Sequence, residues 1–122
     1  MTGKVDAQRQ ATLRLQVFGP GGQSLEVTAV IDTGYNGALT LPTATITALA
    51  LTPEVTRRVR LADASRRVIN CYTAEILWAG QRRRIVALAV EGDPLVGTAL
   101  LDGYQLVIDF VAGGSVSITP LP

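Results

Sequence analysis

Apolar side chains recur at every second position in short runs from residue 11 to residue 118, and a chain with this period folds as strands that bury one face. In residues 12–18 (TLRLQVF), Leu13, Leu15 and Val17 fall on one side and Arg14 and Gln16 on the other. In residues 24–32 (SLEVTAVID), Leu25, Val27, Ala29 and Ile31 oppose Ser24, Glu26 and Thr28. The GPGG stretch at 19–22 joins the two runs as a hairpin.

Beyond Asp32 the segment ALTL (38–41) continues as a short strand, and Pro42 with Thr43 starts a helix that runs until Pro53 forbids its continuation. Residues 55–61 and the long run 66–78 read as a second hairpin with its tip at 62–66. The AGQ turn at 79–81 leads into RRRIVALAV for a third. Leu95 and Val96 end an apolar strand, Gly97 follows, and one or two helical turns stop at Gly103. YQLVIDF, the VAGG turn and SVSI supply a last hairpin, and Pro120 and Pro122 close the chain. About eight short strands and two short helices imply a small all-β barrel or sandwich. An apolar strand, a glycine turn and a short helix occur at 29–50 and are echoed at 86–102. The 122 residues divide into a flexible, polar lead at 1–10 and a single domain at 11–120.

Composition removes several function classes. With 48% hydrophobic and 17% charged residues the chain is globular, and its longest apolar run, residues 85–90, is too short to cross a bilayer. The first ten residues lack the apolar stretch of a secretory signal, so a cytoplasmic protein with no membrane partner is expected. The single cysteine, Cys71, cannot form an internal disulfide and sits in an apolar strand pattern, as a buried reduced thiol would. There is no histidine, which excludes Ser-His-Asp and Cys-His catalysis, imidazole bases and HExxH zinc sites. Any hydrolysis has to run on carboxylates, lysine or a bound metal. Charge is uneven: residues 54–84 carry eight arginines against Glu54, Asp63 and Glu75, whereas from 85 onward only acids occur, Glu91, Asp93, Asp102 and Asp109. The arginines suit either a solvated strand face that blocks edge pairing or a basic rim for acidic peptide or nucleic acid.

One carboxylate stands apart from this pattern. Asp32 ends an apolar strand and is followed at once by Thr33 and Gly34, and some sixty residues later Leu95, Val96 and Gly97 lead into a helix. Read locally, DTGYNG is a set of turn residues in which Asp32 caps a backbone amide, with Asn36 and Gly37 suited to positive φ. Taken together, the two elements resemble the retropepsin-like aspartic peptidases, in particular their single-domain bacterial branch, over most of the chain from Leu13 to Ile118. The resemblance implies an acid-protease-like closed barrel in which Asp32 is catalytic, Thr33 locks the active-site turns and Gly34 permits their close approach. Leu95, Val96 and Gly97 would pack beneath that turn, and Ala62, Asp63, Ala64, Ser65 and Arg66 would form a flap. Ala62, Ala64, Leu95 and Val96 would line a substrate tunnel. Tyr35 stands where retroviral relatives often have Ala or Ser, the flap tip lacks glycine, and the terminal prolines work against interleaved terminal strands.

Hydrolysis of this type needs two carboxylates sharing one proton, because like charges that close do not both ionise. No second Asp-Ser/Thr-Gly occurs in the chain, so the partner carboxylate has to come from a second copy in a two-fold homodimer. The expected function is an aspartic endopeptidase acting on an extended peptide or protein, with no metal or organic cofactor. The alternative is a catalytically silent dimerisation or binding module acting through the arginines. A nucleic-acid partner is not expected.

Overall fold

The computed structural model describes residues 1–54, 57–60 and 66–122, without the side chains of 57–60 and 66–68. In chain order its elements are β1 (Thr2–Val5), β2 (Ala11–Phe18), β3 (Ser24–Ile31), β4 (Leu39–Leu41), α1 (Thr43–Ala48), β5 (Thr52–Pro53), β6 (Arg57–Arg60) and β7 (Arg66–Ile69). There follow β8 (Cys71–Trp78), β9 (Gln81–Ala89), β10 (Leu95–Val96), α2 (Thr98–Leu101), β11 (Tyr104–Ile108) and β12 (Ser115–Pro120).

The alternation of the first hairpin is kept: β2 pairs antiparallel with β3 from Thr12↔Val30 to Phe18↔Ser24, and Leu13, Leu15 and Val17 are buried. Burial along β3 deepens toward its C-terminal end, from Leu25, 40% exposed, to the fully buried Ala29. Six strands close into a barrel in the order β2-β3-β10-β4-β9-β8, the seam being Val17↔Ile76 and Phe18↔Glu75. Closure removes free edges from these strands, and their inward side chains, Leu15, Val17, Leu39, Ile76, Ala87 and Val96, fill the interior.

The echo between 29–50 and 86–102 has a structural counterpart. In the first copy β3 leads through a turn to β4 and α1; in the second β9 leads through a turn to β10 and α2. The copies pair crosswise, β10 lying parallel to β3 and β4 parallel to β9, with the antiparallel contact Val96↔Leu39 between them. β4 is covered on both faces, so even Thr40 is buried, and its hydroxyl accepts the Leu95 N–H at 2.9 Å. That bond satisfies two groups that would otherwise be stranded in the core.

Several expectations are corrected. The polar start does not run free: Thr2–Val5 pairs with both β12 and β2, since alternation puts Val5 inward while Thr2 and Lys4 stay outside. The first helix stops at Ala48, well before Pro53, because Ala50 turns the backbone to φ 50° and buries Leu49 and Leu51. Pro53 then sits in edge strand β5, where a missing N–H costs nothing. The run 66–78 is two strands broken at Asn70, β7 pairing with β6 in its own small sheet and β8 with β9. Asn36 and Gly37 do not take positive φ. Pro120 continues β12, opposite Tyr104, and does not stop it. With β1, β5 and the split at Asn70, the described residues hold twelve strands, not about eight.

Two features of the frame are open to test. The β8–β9 turn closes on Trp78↔Gln81 with Ala79 at φ 51° and Gly80 at φ 81°, a two-residue turn with both φ positive. A Cβ in this region costs about 1–2 kcal/mol, less for asparagine, so Ala79→Asn is expected to stabilise the protein by roughly 0.5–1 kcal/mol in chemical denaturation. At the start of α1, which lacks a capping side chain of its own, the Glu91 carboxylate accepts from the Thr43 hydroxyl and from the Thr43 N–H at 3.0 Å. The hydroxyl bond, then the N–H bond, holds the Glu91 pKa below its usual value. A lowered folded pKa means that the cap stabilises above the ordinary glutamate range and is lost as pH falls through the folded value. Glu91→Ala is expected to melt below wild type at pH 7, with the gap closing below about pH 4.

Candidate active site

The alternating strand β3 delivers Asp32 to its C-terminal end. The Asp32 N–H donates to the Val96 carbonyl at 2.9 Å, continuing the parallel β3–β10 pairing by one residue. The chain then turns: the Tyr35 N–H donates to the Asp32 carbonyl at 3.1 Å, and the Gly34 N–H to Asp32 Oδ1 at 2.9 Å. The amide cap that a simple turn would have is therefore present, and it engages one carboxyl oxygen. Asp32 is half-buried, while Thr33 and Gly34 are exposed at the tip.

Gly97 packs beneath this turn. Its N–H donates to the Ala38 carbonyl at 2.9 Å, the Thr98 N–H to the Tyr35 carbonyl at 2.8 Å and the Ala99 N–H to the Gly37 carbonyl at 3.1 Å. A Cβ on Gly97 would run into the Gly37 carbonyl and lie 2.6 Å from the Tyr35 carbonyl, a backbone approach open to glycine alone. The Tyr35 ring in turn occupies the space a Cβ on Gly37 would need. Gly34 differs: within one chain a Cβ there meets only Asp32 Oδ1, at 3.2 Å, and its φ is not left-handed.

Beside Asp32 and Thr33 lies an open cleft of about 390 Å³, lined by Val30, Leu95, Ile108 and Phe110 and rimmed by Arg9. Arg9 stands at φ 64° in a tight loop whose Asp6 Oδ1 accepts from the Gln8 and Gln10 N–H groups, each at 2.9 Å. Leu95 thus borders the cleft, whereas Val96 is wholly buried in the core and lines no tunnel. Ala62, Asp63, Ala64 and Ser65 lie outside the described residues, and Arg66 opens β7. Among the described residues no group of three His, Cys, Asp or Glu side chains could hold a metal ion.

Arg9, Thr40, Ile108 and Phe110 are the residues of this neighbourhood that sequence reading passes over. Arg9 carries no local signal, because a positive φ at arginine is imposed by the Asp6 loop. Phe110, 65% exposed, follows Asp109 just beyond the last apolar residue of β11 and stands out as an aromatic with no place in the core.

Two solved structures share this architecture. A retropepsin-like aspartic protease from Rickettsia conorii aligns with 98% of this chain and 90% of its own at a TM-score of 0.60 and 12% identity. EIAV protease, solved with an inhibitor bound, aligns with 79% of this chain and 88% of its own at 0.56 and 13%. The fold is retropepsin-like. No family model matches the sequence, and no curated protein does either. The expected closed barrel is thereby established, with the Asp32 turn on its surface.

The Gly97 seat sets a steric demand that Gly34 lacks within one chain. Gly97→Ala is expected to destabilise the fold by about 1–3 kcal/mol, measured by denaturant unfolding, because backbone on both sides has to move.

Proposed function

We propose that the protein is an aspartic endopeptidase, active as a homodimer in which each copy contributes Asp32 to a shared dyad. The observation that carries this reading is the placement of Asp32 on an exposed, rigidly seated turn of a retropepsin-like barrel, with one such carboxyl per chain. The neighbours' printed descriptions as proteases support the same chemistry.

In this mechanism one Asp32 is ionised and the other protonated, since their proximity disfavours a double negative charge. The ionised carboxylate takes a proton from a water molecule as its oxygen attacks the peptide carbonyl carbon. The protonated carboxyl gives its proton to the carbonyl oxygen. Collapse of the tetrahedral species breaks the C–N bond as a proton passes to the leaving nitrogen. The water is activated by the carboxyl pair, so the reaction uses no cofactor. An extended peptide fits the site best, lying across the cleft with apolar side chains against Leu95 and Val30.

A binding module working through its arginines is the competing class. Arg82 is engaged internally, 3.3 Å from Glu75 and 3.8 Å above the Phe18 ring, and Arg83 donates to the Ala99 carbonyl at 3.4 Å. These contacts favour a strand-face role for Arg82 and Arg83.

Asp32→Asn is expected to lower cleavage of unfolded peptides at mildly acidic pH by about 10²–10⁴-fold while leaving folding and self-association intact. Equal cleavage by wild type and variant overturns the proposal. Gly34→Ala is expected to cost activity, because a Cβ there comes within 3.2 Å of the Asp32 carboxyl oxygen that the Gly34 N–H holds.

A further inference from the structure

The geometry points to Arg9 as a specificity residue: its guanidinium takes a carboxylate side chain, aspartate or glutamate, that an extended peptide carries close to the bond to be cut. The inference deepens the peptidase reading above and rests on it for the occupant of the cleft.

Backbone bonds fix where Arg9 stands. In the β1–β2 loop the Asp6 N–H donates to the Gln10 carbonyl at 2.9 Å and the Arg9 N–H to the Asp6 carbonyl at 3.1 Å. Asp6 Oδ1 accepts from the Gln8 and Gln10 N–H groups across the same loop. These bonds impose φ 64° on Arg9, a conformation that glycine or asparagine adopts at less cost. Among the described residues two other non-glycine residues have positive φ: Ala50, just past α1, and Ala79, in the β8–β9 turn. Both serve the path of the chain. Arg9 alone of the three is charged and borders the cleft beside Asp32. Strain of this kind is retained at binding sites, where the surrounding structure over-determines it.

The charge of Arg9 has no partner among the described residues. The ion pairs found there are Arg14 with Glu26 at 4.0 Å and Arg82 with Glu75 at 3.3 Å, and the Arg9 side chain donates no hydrogen bond. Asp6, the acid closest in sequence, is committed to its own loop. Asp32 is the one acid lining the cleft, and Val30, Leu95, Ile108 and Phe110 give it apolar walls. Such walls focus the field of a rim charge, and the planar fork of a guanidinium matches a carboxylate in two parallel hydrogen bonds.

Positive potential continues along the sheet. Lys4, Thr12 and Val30 are successive cross-strand neighbours, so the open groove of about 270 Å³ lined by Thr2, Lys4, Thr12 and Arg14 adjoins the cleft. Lys4 is exposed and belongs to neither ion pair. A peptide that meets apolar walls at its centre thus meets cations where it leaves the cleft. In a two-fold dimer each copy supplies an Arg9, so the preference for an acid recurs once on each side of the scissile bond.

Cleavage of peptides blocked at both termini tests this, with one glutamate, or its glutamine twin, scanned through the residues flanking the scissile bond. Wild type is expected to favour glutamate about 3- to 10-fold in kcat/KM at one position on each side, within about three residues of the bond, and to lose the preference near 1 M salt. Arg9→Lys is expected to keep part of it, and Arg9→Glu to favour lysine in the same positions. Arg9→Asn is expected to abolish the preference while raising the midpoint of denaturant unfolding, because asparagine suits the backbone better. A working enzyme that cuts the twins equally, or keeps its preference in Arg9→Asn, overturns the role of Arg9 and leaves the peptidase reading standing. An Arg9→Asn variant that is less stable than wild type makes Arg9 a support of the loop and refutes the assignment. A chain that cuts nothing, yet binds the glutamate peptide above its twin in fluorescence anisotropy only when Arg9 is present, overturns the peptidase reading and sustains the carboxylate site.

Discussion

The hydrogen bond from the Asp32 N–H to the Val96 carbonyl joins two segments far apart in sequence, and the rest of the molecule is arranged so that this bond can form. It requires β3 and β10 to run parallel, which requires the chain to travel around the barrel between them. It also brings Gly97 against the carbonyls of Tyr35 and Gly37, so that the turn bearing the carboxyl rests on backbone. Thr40 supports the arrangement from the side by accepting the Leu95 N–H. The turn that carries Asp32 is thus held largely by main-chain bonds, which leave it little freedom to move.

Much of this was legible in the residues. Strict alternation in β2 and β3 marks the first hairpin and its inward face, and Leu95, Val96 and Gly97 carry the pattern of a short strand followed by a helix start. What was not legible had physical causes. β1 is four residues of mixed polarity that become a strand only because β12 and β2 flank it. The end of α1 is set by a positive φ at Ala50, which alanine does not announce. Glu91 caps a helix that starts 48 residues earlier, a contact invisible to any local pattern. At the site, Asp32 and Gly97 carry signals in their own right, whereas Arg9 and Thr40 matter only through where the fold puts them.

Edges receive contrasting treatment. The barrel abolishes most of them, proline and shortness blunt β5, and in β9 three exposed arginines follow Gln81, two of them engaged by neighbouring groups of the same chain. β11 has none of these devices, although acids stand close to both its ends at Asp102 and Asp109.

The crosswise pairing of β3 with β10 and of β4 with β9 also dictates timing. As the chain leaves the ribosome, the β2–β3 hairpin can zip locally, but the carboxyl turn has no seat until residues 95–99 have been synthesised. Loop closure over such a span is slow beside hairpin formation. The geometry around Asp32 is consequently a late feature of folding, assembled after the local hairpins.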